Sequence, residues 1–309
     1  MNTQQAIKYI EHWNLRKLTK LITLLAVVIG LVTSWFWYQS IYMTNERRFW
    51  AAINNSMSTQ SVVRTLTDGG TGNEVTQDFR FHFSPQKAIE NRILLTERNA
   101  TTDTKIETEG IVTPFDQFLR YSSFSSLDQG DLLAEDGSSL VGKWASGGET
   151  QPTEDIAKLN FVSEQVSLVI FGNFSATFRN SALQDMKDNA VYGDSLNTAK
   201  EGELDGRKTL EYGISVSLPD YVRLLQDSFH ESGLGDFPPL APENYREGSR
   251  VNGVVVIDKG TNEILVVGFG GRTEEYGNYG VVKNIENPIP VMTIDELQSQ
   301  VQSSIQLGS

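Results

Sequence analysis

Cysteine is absent from this chain of 309 residues, and histidine occurs only three times. Without cysteine there are no disulfides, no thiolate metal ligands and no cysteine nucleophile, so a hydrophobic core must stabilise the fold. None of His12, His82 and His230 has the partner histidine or glutamate spacing of a zinc-protease helix. We expect His82 and His230 to be ordinary surface or helix-end residues. The sequence therefore predicts no metal site and no cofactor.

Familiar catalytic motifs are also lacking. Ser84 and Lys87 have the serine-x-x-lysine spacing, but Pro85 places them in a turn instead of at a helix start, and no Lys-Thr-Gly follows. The glycines of residues 268–271 favour a bulge or bend over a dinucleotide fingerprint. We therefore expect no catalytic residues and no enzyme activity; a hydrolase with an unrecognised acidic site is the alternative.

Positive charge is scarce, since the chain has 39 acidic residues but only 26 lysines and arginines, and its formal net charge is −13. Nucleic acid and anionic surfaces are therefore poor partners. The acidic stretch 128–136 does not have the spacing of an EF-hand and is expected to be a solvated loop. The acidic excess favours solubility, and a calcium ion or a basic partner is the alternative explanation.

One segment, residues 21–44, has no charged residue and is strongly apolar in its first half. About 20 apolar residues at roughly 1.5 Å per residue cross a hydrocarbon layer of about 30 Å. The segment is longer than the apolar part of a cleavable signal peptide, and it ends in aromatic residues from Trp35 to Tyr42. The sequence therefore predicts a transmembrane signal anchor over 21–44, with 1–20 as a short cytoplasmic tail. A cleaved leader and a buried core helix are the alternatives.

The basic residues that flank this segment predict its orientation. Four precede it and two follow it closely, namely Lys8, Arg16, Lys17 and Lys20, then Arg47 and Arg48. Because lysine and arginine are enriched on cytoplasmic flanks, the N-terminus is predicted to be cytoplasmic. Residues 45–309 are then an extracytoplasmic domain held at the cell membrane, with membrane lipid as a partner of the N-terminal helix.

The hydrophobic period in residues 45–309 changes from helical to strand-like and back. It predicts helices near 46–58, within 153–187, from Pro219 to about 233, and over 294–305 with Thr293 and Glu296 as a capping box. It predicts strands near 60–67, 73–83, 89–95, 104–112, 115–124, 143–144, 197–203, 207–217, 250–257, 263–269 and 274–284. Short polar turns, such as Asp205-Gly206, imply antiparallel pairing. The predicted fold class is α+β.

The clearest strand alternation lies in residues 73–83. One face carries Val75, Gln77, Phe79, Phe81 and Phe83, and the other carries Thr76, Asp78, Arg80 and His82. Such alternation is typical of a strand with one buried face. These phenylalanines belong either to a filled core or to the wall of a cavity.

The order of elements resembles that of the LolA-like half-barrels, which include bacterial lipoprotein carriers and mycobacterial lipid-carrier lipoproteins. The resemblance covers most of 49–305 and rests on the element order and on three short sequences. These are Lys143-Trp144 at the end of the first strand set, Asp205-Gly206-Arg207-Lys208-Thr209-Leu210-Glu211-Tyr212, and Glu275-Tyr276-Gly277.

The resemblance implies a curved antiparallel sheet, a half-barrel, covered by helices, with space for acyl chains between them. It implies that inward side chains line a hydrophobic ligand site, here Phe79, Phe81, Phe83, Leu119 and Tyr121. The expected function is that of a membrane-anchored extracytoplasmic protein that binds a lipid or another hydrophobic molecule. The alternative is a cell-envelope scaffold with a solid core, whose Pro-rich loop 236–242 or acidic face meets a protein partner.

Overall fold

A computed structural model describes residues 20–35, 38, 44–69, 73–98, 103–126, 130–131, 140–147, 153–193, 196–235 and 237–304. The chain divides into two compact units, Met1–Arg48 and Phe49–Ser309. In the first unit, helix α1 covers residues 20–35, and its side chains are exposed. Within the described ranges, no helix is both long and apolar enough to cross a membrane. Parts of the predicted tail and anchor, residues 1–19, 36–37 and 39–43, lie outside the described residues.

The remaining elements follow the predicted order. Helices α2 to α6 are Asn45–Ser56, Thr153–Ser163, Ala176–Asp188, Leu218–Glu231 and Ile294–Ser304. Strands β1 to β6 are Ser61–Gly69, Asn73–His82, Ala88–Arg98, Asp103–Val112, Gln117–Ser126 and Gly130–Asp131. Strands β7 to β12 are Ala145–Ser146, Lys200–Leu204, Arg207–Ser217, Arg250–Asp258, Ile264–Phe269 and Arg272–Gly277. The Pro-rich loop forms two short 3-10 turns, Pro238–Leu240 and Pro242–Asn244.

These strands form one large, curved antiparallel sheet in the order β6-β5-β4-β3-β2-β1-β12-β11-β10-β9-β8, with β7 paired to β5. The predicted α+β class with an antiparallel sheet is confirmed. Each half of the sheet is a meander, and the two halves join where β1 pairs with β12, with Leu66 opposite Glu274. The β8–β9 turn has the predicted conformation, since Asp205 and Gly206 have φ of 49° and 76°, as a type I′ hairpin turn requires.

One face of the sheet, called here the inner face, lies against helices α2 to α5 and forms the main core. It carries Phe79 and Phe81 of β2 together with Val62, Arg64 and Leu66 of β1, which lie opposite one another in register. The predicted apolar stripe of α2 packs into this core, because Phe49, Ile53 and Met57 are fully buried. The alternation predicted for 73–83 is therefore confirmed.

The opposite, outer face is crossed by residues 278–292, called here the strap. The predicted strand 274–284 is wrong beyond Gly277, where β12 ends, because Gly277 already pairs with Val63 near the start of β1 and no further partner follows. The chain then leaves the sheet plane, and Ile285 packs on Ala88, Ile111 and Phe118. The backbone of Met292 finally accepts a hydrogen bond from Ser146 N at 3.1 Å, at the edge of β5.

Helix α6 begins with the predicted capping box. Thr293 N donates to Glu296 Oε2 at 2.9 Å, and Glu296 N donates to Thr293 Oγ1 at 3.2 Å. The buried side chains Leu297 and Val301 of this helix pack with Phe124 in a second, smaller cluster.

Three further expectations are corrected or fall outside the described residues. His82 is not a surface residue but is buried, and its Nδ1 lies 2.7 Å from the Gln86 carbonyl oxygen, because the β2–β3 turn folds back over it. Phe115 lies in the β4–β5 turn instead of in a strand, since β5 begins at Gln117. Within the acidic stretch 128–136, expected to be a loop, Gly130–Asp131 form strand β6, paired with Ser125 and Ser126 of β5, and the rest lies outside the described residues.

Candidate functional site

The structure places three of the five expected ligand-lining residues side by side in the main core. Phe79, Phe81 and Phe83 are buried, and their rings stack in sequence with centroids 6.0 Å apart in both steps. Leu119 and Tyr121 also lie on the inner face, but Tyr121 packs with Phe124, at 4.8 Å between ring centroids, in the smaller cluster under α6. The phenylalanines and Tyr121 therefore belong to separate parts of the core.

The space beside these phenylalanines is small. A void of about 10 Å³, called here the inner void, is lined by Phe81 and Phe83 of the sheet and by Phe171 and Tyr276, among others. A cavity of this size holds about one water molecule. In this conformation the phenylalanines are core residues, and the inner void does not hold an acyl chain.

A charged side chain closes the inner void from one side. Arg64 is almost fully buried, with its guanidinium 4.4 Å above the Phe79 ring and 4.9 Å above the Phe81 ring. Its terminal nitrogens lie 3.4 Å from Glu164 and 3.7 Å from Glu274. Two carboxylates and two aromatic faces thus compensate this buried cation, which would otherwise carry a large desolvation cost.

Glu274 is the centre of the same buried polar network. It is fully buried, pairs with Arg272 at 2.7 Å, and accepts hydrogen bonds from Tyr276 Oη at 2.7 Å and from Ser167 Oγ. Burial, together with the charge of Glu274, raises the pKa of Tyr276 far above its ordinary value. Tyr276 therefore acts here as a neutral hydrogen-bond donor.

A much larger space opens at the end of the sheet where the β2–β3 and β4–β5 turns lie. This cavity, called here the mouth cavity, measures about 460 Å³ and is lined by both turns, by α3, by residues 232–234 after α5, and by the strap. Ligand pockets typically measure about 300 to 1,000 Å³. The mouth cavity therefore has the volume of a ligand site.

Two smaller voids lie further inward. The first shares lining residues with the mouth cavity, and the second shares lining residues with the first. A void of about 60 Å³, called here the aromatic void, shares Lys87, Ser232 and Leu234 with the mouth cavity. Its other walls include four phenylalanines, Phe83, Phe161, Phe171 and Phe174. The inner void in turn shares Phe83 and Phe171 with the aromatic void. The three spaces are thus neighbours between the sheet and the helices, and the innermost of them is lined by Arg64.

The rim of the mouth cavity is partly apolar and partly cationic. Phe115 is 64% exposed at the tip of the β4–β5 turn, next to Pro114. Lys87 and Lys158 also line the cavity, with Asp116 as the acidic side chain. The combination of an exposed phenylalanine, prolines and ammonium groups suits a molecule with an apolar part and a polar end.

Lys87 is the most constrained of these charged groups. Its ammonium donates a hydrogen bond to the Ser232 carbonyl oxygen just after α5. Burial lowers the pKa of Lys87 below its ordinary value, and the nearby Glu231 carboxylate opposes that effect only in part. Lys87 is therefore a cation that has lost part of its hydration.

Two other cavities are less suited to a hydrophobic molecule. One of about 530 Å³ lies on the outer face under the strap and is lined by the exposed Arg80–Glu90 ion pair as well as by Lys283 and Glu286. Another of about 330 Å³ lies beside Leu66 and the β11–β12 turn. Neither shares lining residues with the aromatic void.

The sequence reasoning missed the mouth cavity as a site. Its walls come from segments as far apart as Pro85 and Asn287, and no local pattern brings these together. The serine-x-x-lysine match did draw attention to Lys87, but for a chemistry that its turn context excludes. Among the residues that the structure describes, there is no group of three or more histidine, aspartate or glutamate side chains placed to hold a metal ion.

Comparison with known proteins gives a distant likeness. No protein-family model matches the chain, and no curated protein matches it. The crystal structure of LprF from Mycobacterium bovis is similar in fold, with 12% sequence identity and a TM-score of 0.35 over 79% of this chain and 96% of LprF.

Proposed function

We propose that this protein binds a hydrophobic molecule in the mouth cavity, without acting on it chemically. The observation that carries the proposal is a surface cavity of about 460 Å³ that shares Lys87, Ser232 and Leu234 with a void lined by four phenylalanines between sheet and helices. This retains the hydrophobe-binding role expected from the half-barrel resemblance. It moves the site from the middle of the inner face to its end, where Phe83 forms a wall.

Apolar area removed from water is the source of the binding energy in this proposal. Burial of apolar surface contributes roughly 25 cal/mol per Å². Phe115, which is 64% exposed, offers such surface at the mouth, whereas Phe83 and Phe161 are already buried, so further inside the apolar surface that leaves water is that of the ligand. In the described conformation the aromatic void is too narrow for a chain, so deep insertion requires these rings to rotate. Binding that stops at the mouth requires no such change.

We also propose that the protein is membrane-anchored, with residues 1–20 cytoplasmic and the domain extracytoplasmic. The uncharged segment 21–44 and the basic residues that precede it support this. A tethered binding protein can accept or pass on a hydrophobic molecule close to the membrane surface. It does not ferry a ligand across a wide gap.

Photo-crosslinking of the full-length protein tests the binding proposal. The protein, held in nanodiscs of uncharged phosphatidylcholine, is exposed to a long-chain alcohol that carries a diazirine, and labelled peptides are identified by mass spectrometry. We expect labelling in the β2–β3 turn, in the β4–β5 turn and in residues 232–234, because these line the mouth cavity.

A matched pair of variants makes this test specific. Gln86→Trp places a bulky ring at an exposed position that lines the mouth cavity and is expected to lower labelling several-fold. Gln184→Trp makes the same change at an exposed position on α4 and is expected to leave labelling unchanged. Equal labelling of both variants and of the wild type, or labels spread over the surface, would contradict the proposal.

A solid interaction module is the second candidate, and the filled core favours it. The inner void of about 10 Å³ is the space found among Phe81, Phe83 and Phe171, and the Arg64 network closes it. In that case the mouth cavity is a surface groove, and the domain offers a rigid platform to an envelope protein. Absence of any alcohol labelling, together with capture of one defined protein partner by crosslinking in cells, would establish this second function.

A further inference from the structure

We infer that the mouth cavity selects a single-chain amphiphile with a carboxylate head, held at Lys87. This inference rests on the proposed function, because it names the class of hydrophobic molecule that the cavity takes. The apolar chain points inward toward Phe83, and the head group stays at the rim.

The charge of the mouth cavity differs in sign from that of the chain. The chain has a formal net charge of −13, but the charged residues that line this cavity are Lys87, Lys158 and a single acidic residue, Asp116. Asp116 lines the same cavity and Glu231 lies near Lys87, so a head group with one negative charge meets less repulsion there than a doubly charged phosphate.

Lys87 is placed to receive an anion. Its ammonium has three N–H donors, one of which is directed to the Ser232 carbonyl oxygen. It lines both the mouth cavity and the aromatic void, so it lies at the boundary between the polar rim and the apolar interior. An anion at this point replaces the water that burial has removed from the Lys87 ammonium. Its hydrogen bonds to this charged group are stronger than those between neutral groups.

Further inward, the described residues offer the anionic head group no cation that is free of carboxylate partners. Beyond the aromatic void the cation that lines the path is Arg64, and Glu164 and Glu274 already flank it at 3.4 Å and 3.7 Å. Four phenylalanines line the aromatic void together with Gln165 and Asn173, and the Gln165 side-chain amide already donates to the Phe161 carbonyl oxygen at 3.0 Å. An anion moved from Lys87 along this wall loses its hydration without gaining a second cation, so the head group stays with Lys87.

The width of the aromatic void argues for one chain instead of two. Its volume of about 60 Å³ lies between closely spaced rings, including Phe171 and Phe174. Rotation of these rings must open less space for one polymethylene chain than for two, and a dense core resists such opening. A single-chain molecule therefore enters the interior with less rearrangement than a diacyl lipid.

Comparison of an acid with its alcohol tests the inference. Full-length protein in phosphatidylcholine nanodiscs is labelled with a diazirine-bearing long-chain fatty acid and, separately, with the primary alcohol of the same chain. We expect the acid to label the mouth segments roughly tenfold more strongly at equal concentration, the ratio that a charge-assisted hydrogen bond of about 1.4 kcal/mol provides.

Variants of the lysine identify its role. Lys87→Met keeps the aliphatic stem and removes the charge, so we expect it to lower the ratio of acid labelling to alcohol labelling roughly tenfold. Lys87→Arg restores a cation and is expected to restore the preference for the acid. Lys200→Met removes an exposed lysine on the edge strand β8 and is the control.

The outcomes separate this inference from the proposed function. Equal labelling by acid and alcohol, unchanged by Lys87→Met, overturns the carboxylate selection while hydrophobe binding stands. Loss of both labels in Lys87→Met also overturns it, because the lysine is then required for the shape of the cavity and not for its charge. Absence of mouth labelling by the alcohol in the wild-type protein overturns the proposed function itself.

Discussion

Arg64 is a buried charged residue in the core between the inner face of the sheet and the helices that cover it. It carries a charge into the centre of the core, where two carboxylates and the rings of Phe79 and Phe81 surround it. A buried ion pair seldom adds net stability, but removal of one member leaves the other uncompensated. Arg64 therefore links strand β1 to Glu164, just after helix α3, and to Glu274 of strand β12, so it joins the sheet to the helices that cover its inner face.

Removal of the Arg64 charge is expected to destabilise the domain strongly. For Arg64→Met we expect a loss of about 3 to 5 kcal/mol in the free energy of unfolding, because Glu164 and Glu274 lose their shared cation. Urea denaturation followed by tryptophan fluorescence measures this. Arg80→Met, which breaks the exposed pair with Glu90, is the matched control, with an expected loss of about 0 to 1 kcal/mol. Equal losses in the two variants would show that the buried network is not selectively important.

Glu164 is expected to make stability depend on pH. Burial raises the pKa of its carboxyl above the ordinary value of 4.5, and Arg64 and Arg272 oppose this only in part. Because the folded state holds this proton more tightly than the unfolded state, the contribution of Glu164 is fully present below pH 4.5 and is lost as the pH rises through the raised pKa.

Glu164→Gln removes this titration and isolates the effect. The free energy of unfolding of the wild type minus that of the variant is expected to fall as the pH rises above 4.5 and through the raised pKa of Glu164. Urea titrations at several pH values measure the difference, from which pH effects common to both proteins are removed. A difference that rises with pH would show that pairing with Arg64 outweighs burial and that the pKa is lowered.

Single residues also show where sequence reasoning succeeds. Strand geometry alternates side chains with a period of two, so it was predictable that Phe79, Phe81 and Phe83 lie on one face of the sheet. The burial of His82 was not, because alternation places it on the outer face but does not show that the β2–β3 turn and the strap pass close to it. Periodicity identifies a face, and only packing determines what covers that face.

At the scale of elements, the strap is the main departure from expectation. Residues 274–284 have a strand-like composition, but strand formation requires a hydrogen-bonding neighbour. The β12 partner β1 begins at Ser61, and Gly280 N already bonds to the Ser61 carbonyl oxygen at 2.9 Å as the chain turns away. By contrast the α6 capping box was predictable, because its donors and acceptors lie within four consecutive residues.

The strap is expected to stabilise the sheet through one anchoring side chain. Ile285 is 8% exposed among Ala88, Ile111 and Phe118, so Ile285→Ala should cost about 2 to 5 kcal/mol in the free energy of unfolding. Ile289→Ala removes the same group from a position that is 88% exposed and should cost almost nothing. Urea denaturation of the pair measures this, and similar costs would contradict an anchoring role for Ile285.

At the scale of the whole molecule, the mouth cavity is formed by segments that are far apart in the sequence. Two hairpin turns and residues 232–234 after α5 supply most of the lining residues, and helix α3 and the strap supply one each, Lys158 and Asn287. Their separation along the chain is large, so no window of sequence contains the site. The sheet order that brings them to one end depends on β1 pairing with β12. That pairing joins the first and last strands of the two meanders.

The proposed membrane anchoring is a property of the whole chain and has its own test. We expect the full-length protein to sediment with membranes and to resist extraction by alkaline carbonate, because an uncharged segment of this length is more stable in lipid than in water. Protease added to intact cells should digest the domain. Replacement of Arg16, Lys17 and Lys20 by glutamate should weaken the orientation. A protease-protected domain in intact cells would contradict the proposed topology.

By itself the sequence determined the element types, the α+β class, the antiparallel pairing of neighbours and the buried faces of strands and helices. These follow from local physical rules, namely side-chain period, turn conformation and capping, which act over a few residues. Only the tertiary structure decided that the phenylalanines of the inner face are packed, that Arg64 closes the interior and that a cavity opens beside Lys87. Those features depend on contacts between residues that are distant along the chain. Because the core is densely packed, these contacts exist only once the chain has folded.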